Sequence, residues 1–187
     1  SGWRAIDVTS FAKSQQDGDG AMSLALKQEM GGNGLFVQFA SKEANDHHPR
    51  LEIVLGPSLA FKAVAASGAV SDPGTSANNS IDGDLSTRWS NDAHGAALTV
   101  DLGAVNDLRG ASVGFYRGDQ RIAFFELRAS QDNKSWKTVY AGQSRGDTTS
   151  REVFSFQETP ARYLRYIGFG NSQNAFNSVT ELLAHGK

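Results

Sequence analysis

The sequence of 187 residues contains no cysteine, which excludes a disulfide framework and thiol chemistry. It also lacks a strong charge excess: 18 basic and 20 acidic residues leave a formal net charge of −2, so the basic surface of a nucleic-acid-binding protein is not expected. No apolar run reaches the roughly 18 residues of a membrane span. No signal peptide opens the chain, which suits a mature or excised fragment.

Recognisable catalytic motifs are lacking as well. The chain has no Gly-x-Ser-x-Gly nucleophile elbow, no phosphate-binding loop and no zinc motif. Because His47 and His48 are adjacent, they point to opposite sides of an extended chain, and we expect an exposed loop there. Two carboxylates from distant strands could still support glycoside hydrolysis, so that reading stays open. The absences favour a non-catalytic protein.

Glycine is abundant, with 20 residues spaced between short alternating apolar runs that indicate β-strands. Four such runs are predicted in the first part of the chain: Trp3 to Val8, Met22 to Leu26, Leu35 to Phe39 and Leu51 to Leu55. Gly56-Pro57 interrupts the pattern, and we place a domain boundary there. A unit this small without disulfides buries little surface, so residues 1–56 either pack on the second domain or are the end of a larger, truncated domain. We favour the second interpretation.

Residues 57–187 continue with a stronger alternation of apolar and polar positions. The predicted strands are Phe61 to Ser67, Ala97 to Leu102, Ala111 to Tyr116, Phe124 to Ala129, Trp136 to Tyr140, Glu152 to Phe156, Arg162 to Gly168 and Val179 to Leu183. Short strands separated by turn sequences are typical of sandwiches and jelly rolls. The sequence therefore predicts an all-β fold, an antiparallel β-sandwich of the jelly-roll type.

A polar loop at residues 76–90 brings oxygen-bearing side chains close together in sequence. Asp82, Asp84 and Thr87 supply carboxylate and hydroxyl oxygens, and Gly83 permits the positive φ of a tight wrap. Calcium prefers six to eight such oxygens. The residue order is not that of an EF-hand, and an Asx-rich surface turn explains the same residues without an ion. On spacing alone, both interpretations stay open.

Several motifs of residues 58–187 resemble the coagulation factor 5/8 type C (discoidin-like) family, in its carbohydrate-binding module family 32 branch. They are the run Asn79 to Ser90, Val100-Asp101-Leu102-Gly103, Phe125 to Ser130 with Trp136, and Ala161 to Tyr166. Two further pieces, Tyr116 to Arg121 and Gly168 to Glu181, resemble modules attached to alginate lyases. Relatives usually carry histidine at Phe169 and tryptophan at Phe176. The resemblance implies a galactose-binding-like jelly roll.

The first segment resembles a different module, the carbohydrate-binding family 96 module named after its DNRLRE motif. The similarity lies in Trp3 to Ser10, Ser23 to Leu26, Phe39 to Ala44 and Pro49-Arg50-Leu51. The DNRLRE motif itself is absent from the chain. The resemblance is to the C-terminal half of that module, and it implies that residues 1–56 are a truncated, partial β-sandwich module.

The discoidin-like resemblance implies a structural calcium ion in the polar loop. The implied ligands are Asn79, Asp82, Asp84, Thr87, Thr180 and Glu181. The last two belong to the C-terminal strand, so the ion would tie the loop to a distant part of the chain and stabilise the fold. Trp89, and likewise Trp136, are then expected in the core.

Sugar binding requires an aromatic surface flanked by planar polar groups, and a uronate adds a demand for guanidinium groups. The candidate carbohydrate-binding residues are Tyr116, Arg117, Asp119, Arg121, His94, Asn171, Phe176 and Asn177. Tyr116 suits the core as well as a site, and a solvated turn with an Arg–Asp pair explains Arg117 to Arg121 equally. Surface polarity also accounts for His94.

These patterns and resemblances lead to one expectation. The chain is interpreted as a non-catalytic fragment of a secreted or cell-surface bacterial enzyme, ending in a calcium-stabilised module that binds alginate or another uronic-acid polymer. The attached catalytic domain, expected to be a polysaccharide lyase, lies outside the chain, which lacks the catalytic motifs of an alginate lyase. The alternatives are a protein or cell-surface adhesion module of the discoidin type, and a structural spacer.

Overall fold

The computed structural model describes residues 57–68 and 72–187. The chain divides into two units, Ser1–Glu52 and Ile53–Lys187, and every described residue belongs to the second. The four strands predicted between Trp3 and Leu55 lie outside the described residues.

The described part of the chain consists of β-strands and one short 3-10 helix at Ala77–Ser80. The strands are β1 (Ser58–Leu59), β2 (Ala63–Ala66), β3 (Trp89–Asn91), β4 (Ala96–Phe115), β5 (Ala123–Ser130), β6 (Lys137–Gln143), β7 (Glu152–Asn171) and β8 (Asn177–Gly186). Their hydrogen-bonded order is β1-β8-β4-β7-β5-β6, with β2 added beside β4 and β3 beside β8. All pairings are antiparallel, which confirms the predicted all-β fold.

Two long strands, β4 and β7, connect the layers of the sandwich. Residues 96–101 of β4 pair with β2 and with residues 163–168 of β7, whereas residues 108–115 pair with β8. Register shifts follow Asp101 and Leu108, where the strand changes its neighbours. The sequence analysis predicted two separate strands within β4 and two within β7. In β4, the exposed and partly exposed residues from Gly103 to Asp107 interrupt the apolar alternation.

Apolar residues that alternate along these strands form the core between the layers. Trp89, Leu98, Val100, Leu127, Leu164 and Tyr166 are fully buried. Phe125 lies at the centre of the aromatic cluster, with its ring 5.2 Å from Tyr166 and 4.9 Å from Phe154. The prediction that Trp89 belongs to the core is confirmed.

The same expectation for Trp136 is wrong. This residue lies just before β6 and remains partly exposed. The guanidinium carbon of Arg165 sits 3.8 Å from the centre of its indole ring. Trp136 therefore packs against a cation on the surface of the sheet, next to Lys137 and Thr138, which begin β6 and are exposed.

Candidate functional site

Three loops meet at one end of the sandwich, where β7 ends. Residues 92–95 connect β3 to β4, residues 116–122 connect β4 to β5, and residues 172–176 connect β7 to β8. The backbone of Gly95 donates to Gly168, and that of Ser172 donates to Ile122. The Gln173 side chain also donates to the Gln120 carbonyl at 2.9 Å. The fold thus brings together loops that are up to 80 residues apart in sequence.

Asn177 holds two of these loops together from inside. Its amide nitrogen donates to the carbonyls of Asn91 and Ala93, and its amide oxygen accepts from the Gly170 N–H at 2.7 Å. The residue is only 2% exposed. A Cβ on Gly168 would collide with this amide, so glycine is required there for the close approach. Asn177 therefore braces the loops, and its polar atoms are already engaged.

Asn171 has a similar bracing position at the start of the β7–β8 turn. Its amide nitrogen donates to the Asn174 side chain and to the Phe176 carbonyl, and its oxygen accepts from the Gln173 backbone. These contacts fix the turn that carries Phe176. The Phe176 ring remains 40% exposed, which places an apolar surface at this end of the molecule.

Tyr116 is surrounded by three guanidinium groups. The guanidinium carbons of Arg88, Arg121 and Arg117 lie 4.0, 5.2 and 5.4 Å from the centre of its ring. Arg121 is also anchored, because its Nε donates to the Tyr116 carbonyl at 3.0 Å. The ring is partly buried between these side chains, so Tyr116 organises the cations around it.

The three arginines form no ion pair with any described residue. Asp119 lies between Arg117 and Arg121 in sequence, in a tight turn where Arg117 has a positive φ of 53°, yet it forms an ion pair with neither arginine. Burial, followed by the positive charges of Arg117 and Arg88, lowers the pKa of Arg121. The cluster therefore carries positive charge that a bound anion would neutralise.

His94 lies in the first of the three loops and is exposed. Its ring centre is 5.1 Å from that of Phe169, which lies near the C-terminal end of β7. His94 also borders a shallow depression that Ser67 and Asn91 line. His94 and Phe169 thus provide a second aromatic surface beside the loop that Asn177 braces.

The polar loop between the 3-10 helix and β3 gathers three oxygens around the Thr87 hydroxyl. The Thr87 hydroxyl lies 2.7 Å from the Asp82 carboxylate, 3.0 Å from the Asp84 carbonyl and 3.3 Å from the Asn79 carbonyl. A hydroxyl has one proton and can satisfy only one of these acceptors at a time. The arrangement is an oxygen-rich cluster with too few donors, which suits a hard cation.

The side chains of Asp84 and Asn79 serve the loop itself. The Asp84 carboxylate accepts from the Ser86 backbone, and hydrogen bonding by the Ser86 side chain, followed by this backbone contact, lowers the pKa of Asp84. The Asn79 amide donates to the carbonyls of Gly74 and Arg88. Both residues therefore offer their main-chain oxygens to the cluster, and Asp82 offers its carboxylate.

Strand β8 contributes Thr180 and Glu181, which are both buried. The Glu181 carboxylate accepts from the Gly83 N–H at 2.9 Å, across 98 residues of sequence. Burial and the nearby charges of Asp82 and Asp84 raise the pKa of Glu181. The Thr180 hydroxyl is buried without a hydrogen-bond partner among the described residues. These features fit a cation that lies between the loop and the strand.

No group of three or more His, Cys, Asp or Glu side chains forms a metal cluster in the described ranges. A cation at this loop would therefore rely on carbonyl and hydroxyl oxygens in addition to carboxylates. The residues present meet that requirement for calcium, which accepts all three types of oxygen.

Arg88 is a site residue that sequence reasoning missed. It directly follows the cation loop at Thr87 and directly precedes the buried Trp89. Its guanidinium is the one nearest to the Tyr116 ring. The sequence does show an arginine between the polar loop and the buried Trp89. Its partner Tyr116, however, is 28 residues away, so their contact cannot be inferred from local spacing.

The bent two-layer antiparallel sandwich and the loop cluster at one end define a jelly-roll module of the galactose-binding type. A family model, the F5/8 type C domain, matches residues 62–182. The chain belongs to the F5/8 type C domain family. A second family model, carbohydrate-binding module family 96, matches residues 1–55. No curated protein sequence matches the chain significantly.

Solved structures similar to the chain include the family 32 carbohydrate-binding module of AlyQ in complex with 4,5-unsaturated mannuronic acid. It is 41% identical over 68% of this chain and 97% of that chain, with a TM-score of 0.65. A truncated AlyQ with this module and its alginate lyase domains is also 41% identical, over 70% of this chain and 34% of that chain, with a TM-score of 0.66. A pectin-binding module at 24% identity covers 67% of this chain and 91% of its own, with a TM-score of 0.64, and shows the shared fold alone.

These matches confirm the discoidin-like and family 96 resemblances. The chain is a carbohydrate-binding module similar to that of AlyQ, and it is non-catalytic, as are the modules it matches. None of the helices in the described ranges has the length and apolar character needed to cross a membrane.

Proposed function

We propose that this module binds alginate or another uronic-acid polymer through the three-loop end of the sandwich. The observation that carries the proposal is the cluster of Arg88, Arg117 and Arg121 around Tyr116, with no carboxylate partner among the described residues. Three cations held this close repel one another, and each sugar of a uronate polymer brings a carboxylate that guanidinium groups bind well.

Different loop residues have different roles in the proposed binding. Arg88, Arg117 and Arg121 take the uronate carboxylate, and the exposed Phe176 ring supplies an apolar contact for the sugar face. His94 and Asp119 are exposed and supply hydrogen bonds to hydroxyl groups. Asn171 and Asn177 hold these loops in place, because their amides are already hydrogen-bonded within the chain.

The proposal also includes a structural calcium ion at the polar loop. The carbonyls of Asn79 and Asp84, the Asp82 carboxylate and the Thr87 hydroxyl would hold it, together with oxygens of Thr180 and Glu181. When bound, calcium supplies charge that draws these oxygens together. The residues themselves tie the loop to β8 and set the position of Arg88, which follows Thr87 directly.

We place the module in a secreted or cell-surface bacterial enzyme, as a binding unit for an attached polysaccharide lyase domain outside this chain. Similarity to AlyQ, which has a family 32 module and alginate lyase domains, supports this context. Residues 1–56 would then be part of a second carbohydrate-binding module, as the family 96 match suggests. Such a module raises the local concentration of the catalytic domain at its polymer even when its own affinity is weak.

The test is retention in an affinity gel that contains alginate, with polygalacturonate, chitosan and a neutral polysaccharide as comparison gels. We expect retention by alginate, and we expect Arg117→Ala combined with Arg121→Ala to abolish it. The matched control combines Arg109→Ala with Arg145→Ala, which removes two arginines that are ion-paired to Glu158 and Asp147. This control changes the net charge equally and should be retained like the unmodified protein.

Equal retention of both double variants would remove Arg117 and Arg121 from the site. Stronger retention by a neutral polysaccharide would show that the ligand is not a uronate. Absence of retention in every gel, with the chain folded, would contradict polysaccharide binding and favour the adhesion or spacer alternatives.

A further inference from the structure

We propose a second contact surface for the same acidic polymer on the outward face of the sheet, centred on Arg165. The inference rests on the proposed function, since it extends the ligand from the three-loop end across the sandwich. The surface, called the Arg165 face below, consists of Thr99, Arg128, Asn133, Trp136, Tyr163 and Arg165.

The register of the strands places this row of residues outward. Arg165 on β7 pairs with Thr99 on β4 at one side and with Arg128 on β5 at the other. The neighbouring row contains Leu98 and Tyr166, which are fully buried. Because side chains alternate between the two faces of a strand, the row of Arg165 points away from the core.

Arg165 is anchored by hydrogen bonds but has no anionic partner in the part of the chain that the structure describes. Its Nε donates to the Thr99 hydroxyl at 2.8 Å, its Nη2 donates to the Asn133 side chain at 3.2 Å, and its guanidinium lies on the Trp136 ring. No described carboxylate forms an ion pair with it. Two of its five N–H donors are used, so both hydrogens on Nη1 and one on Nη2 remain for a ligand.

The surroundings of Arg165 favour an anion there. Arg128 lies directly opposite on the adjacent strand, and like charges in this position destabilise a sheet. Arg128 is bound to Glu126 at 2.7 Å, so its charge is balanced, whereas that of Arg165 is not. Burial and then the charge of Arg128 lower the pKa of Arg165, and the negative charge of a carboxylate placed end-on against Nη1 and Nη2 would favour the charged guanidinium and so oppose both effects.

The Arg165 face is continuous with the three-loop end. Arg165, Ile167 and Phe169 alternate to the same side of β7, and Phe169 contacts His94 of the first loop. Six residues separate Arg165 from Asn171, which is about 20 Å along a strand. An extended polymer with a carboxylate on each sugar can span this distance, whereas a disaccharide that occupies the loop end cannot.

The test compares two probes, alginate polymer and alginate disaccharide, with the full chain. We expect Arg165→Gln to weaken polymer binding about ten-fold, through loss of one bidentate charge-assisted contact, and to leave disaccharide binding unchanged. Arg109→Gln is the matched control, because it removes the same charge from an arginine that is paired with Glu158 elsewhere. It should bind both probes like the unmodified protein.

Arg165→Lys keeps the charge but not the planar fork, so we expect polymer affinity between those of the unmodified protein and Arg165→Gln. If Arg165→Gln lowers the melting temperature, Arg165→Lys is the variant that tests the surface in its place. If Arg165→Gln and Arg165→Lys bind polymer as tightly as Arg109→Gln does, the Arg165 face is not a binding surface, and Arg165 only packs on Trp136. If the unmodified chain binds neither probe, the proposed function fails, and the second surface fails with it.

Discussion

At the scale of single residues, Asn177 shows how a buried polar group can determine the shape of an exposed site. Its amide links the Gly170 N–H to the carbonyls of Asn91 and Ala93. It thereby joins the loop that carries His94 to the strand end that carries Phe169. A buried side chain therefore positions two others that are candidates for ligand contact.

Replacing this side chain should destabilise the protein. We expect Asn177→Ala to lower the free energy of unfolding by about 3 kcal/mol, since it leaves one donor and two acceptors without their partner, and each unsatisfied buried group costs about 1–3 kcal/mol. Chemical denaturation monitored by tryptophan fluorescence measures the change. Asn106→Ala is the control, because that amide donates only to Ala104 two residues away. Equal stabilities of the two variants would show that the Asn177 hydrogen bonds contribute little.

At the scale of secondary-structure elements, the first residue of β7, Glu152, has a buried carboxylate. Glu152 is 5% exposed and accepts from the Arg145 N–H at 2.9 Å, while its other oxygen has no hydrogen-bond partner among the described residues. Burial raises its pKa, and the charge of Asp147 adds to this, while Arg145 opposes it. The folded protein therefore holds the proton of Glu152 to higher pH than the unfolded chain does.

This difference gives the start of β7 a defined pH dependence. A carboxyl group whose pKa is raised on folding stabilises the folded state below its unfolded pKa, and this contribution is lost as the pH rises through the folded value. We expect the free energy of unfolding to fall as the pH rises above about 4.5, and Glu152→Gln to reduce that decline. Denaturation curves from pH 4 to pH 8 measure the slopes. Glu158→Gln, an exposed carboxylate on the same strand, controls for the loss of one charge.

If Glu152→Gln and the unmodified protein showed parallel pH profiles, Glu152 would not be the group responsible. A reduced slope in Glu158→Gln alone would assign the effect to the surface carboxylate. Either result can be read from the same set of curves.

The strands were largely predictable from the sequence because burial on one face imposes a period of two. Phe125, Leu127 and Ala129 alternate with exposed or partly exposed residues, and all three lie in β5 as predicted. The continuity of β4 was not predictable, because its exposed bend carries no apolar signal. Trp136 was assigned to the core because it begins a run that was interpreted as a buried strand, but the cation that covers it comes from β7.

The candidate site could be predicted only where its residues are neighbours in sequence. Arg117 and Arg121 share one turn and were found, whereas Arg88 and Arg165 depend on partners 28 and 29 residues away. Asn177 was interpreted as a ligand contact because it lies in a polar loop. Its burial follows from the absence of a side chain at Gly168, which no local pattern shows.

At the scale of the whole molecule, the polar loop connects the beginning of the sandwich to its last strand. Glu181 on β8 binds the backbone of Gly83, and Thr87 lies one residue before Arg88 of the arginine cluster. A cation at this position would stabilise the fold and would also fix the nearest guanidinium to Tyr116. Calcium and ligand binding are thus expected to be linked through Arg88, without any shared contact.

Removal of calcium should therefore lower the melting temperature. A ligand present at 100 times its dissociation constant stabilises the folded state by about 2.7 kcal/mol, which corresponds to about 5–10 °C for a chain of this size. We expect this shift on addition of a chelator, measured by differential scanning calorimetry. We also expect chelation to weaken alginate retention in the affinity gel, because Arg88 loses its fixed position.

Two variants separate a specific site from a general effect of calcium on the surface. Glu181→Gln keeps an acceptor for the Gly83 N–H but removes the buried charge, so its melting temperature should hardly respond to the chelator. Asp107→Asn removes an exposed charge seven residues along β4 from Gly114, which pairs with Glu181, and should respond like the unmodified protein. If chelation left the melting temperature of the unmodified protein unchanged, the oxygen cluster around Thr87 would be an ordinary turn. Asn79, Asp82 and Asp84 would then act only through the hydrogen bonds that they already form.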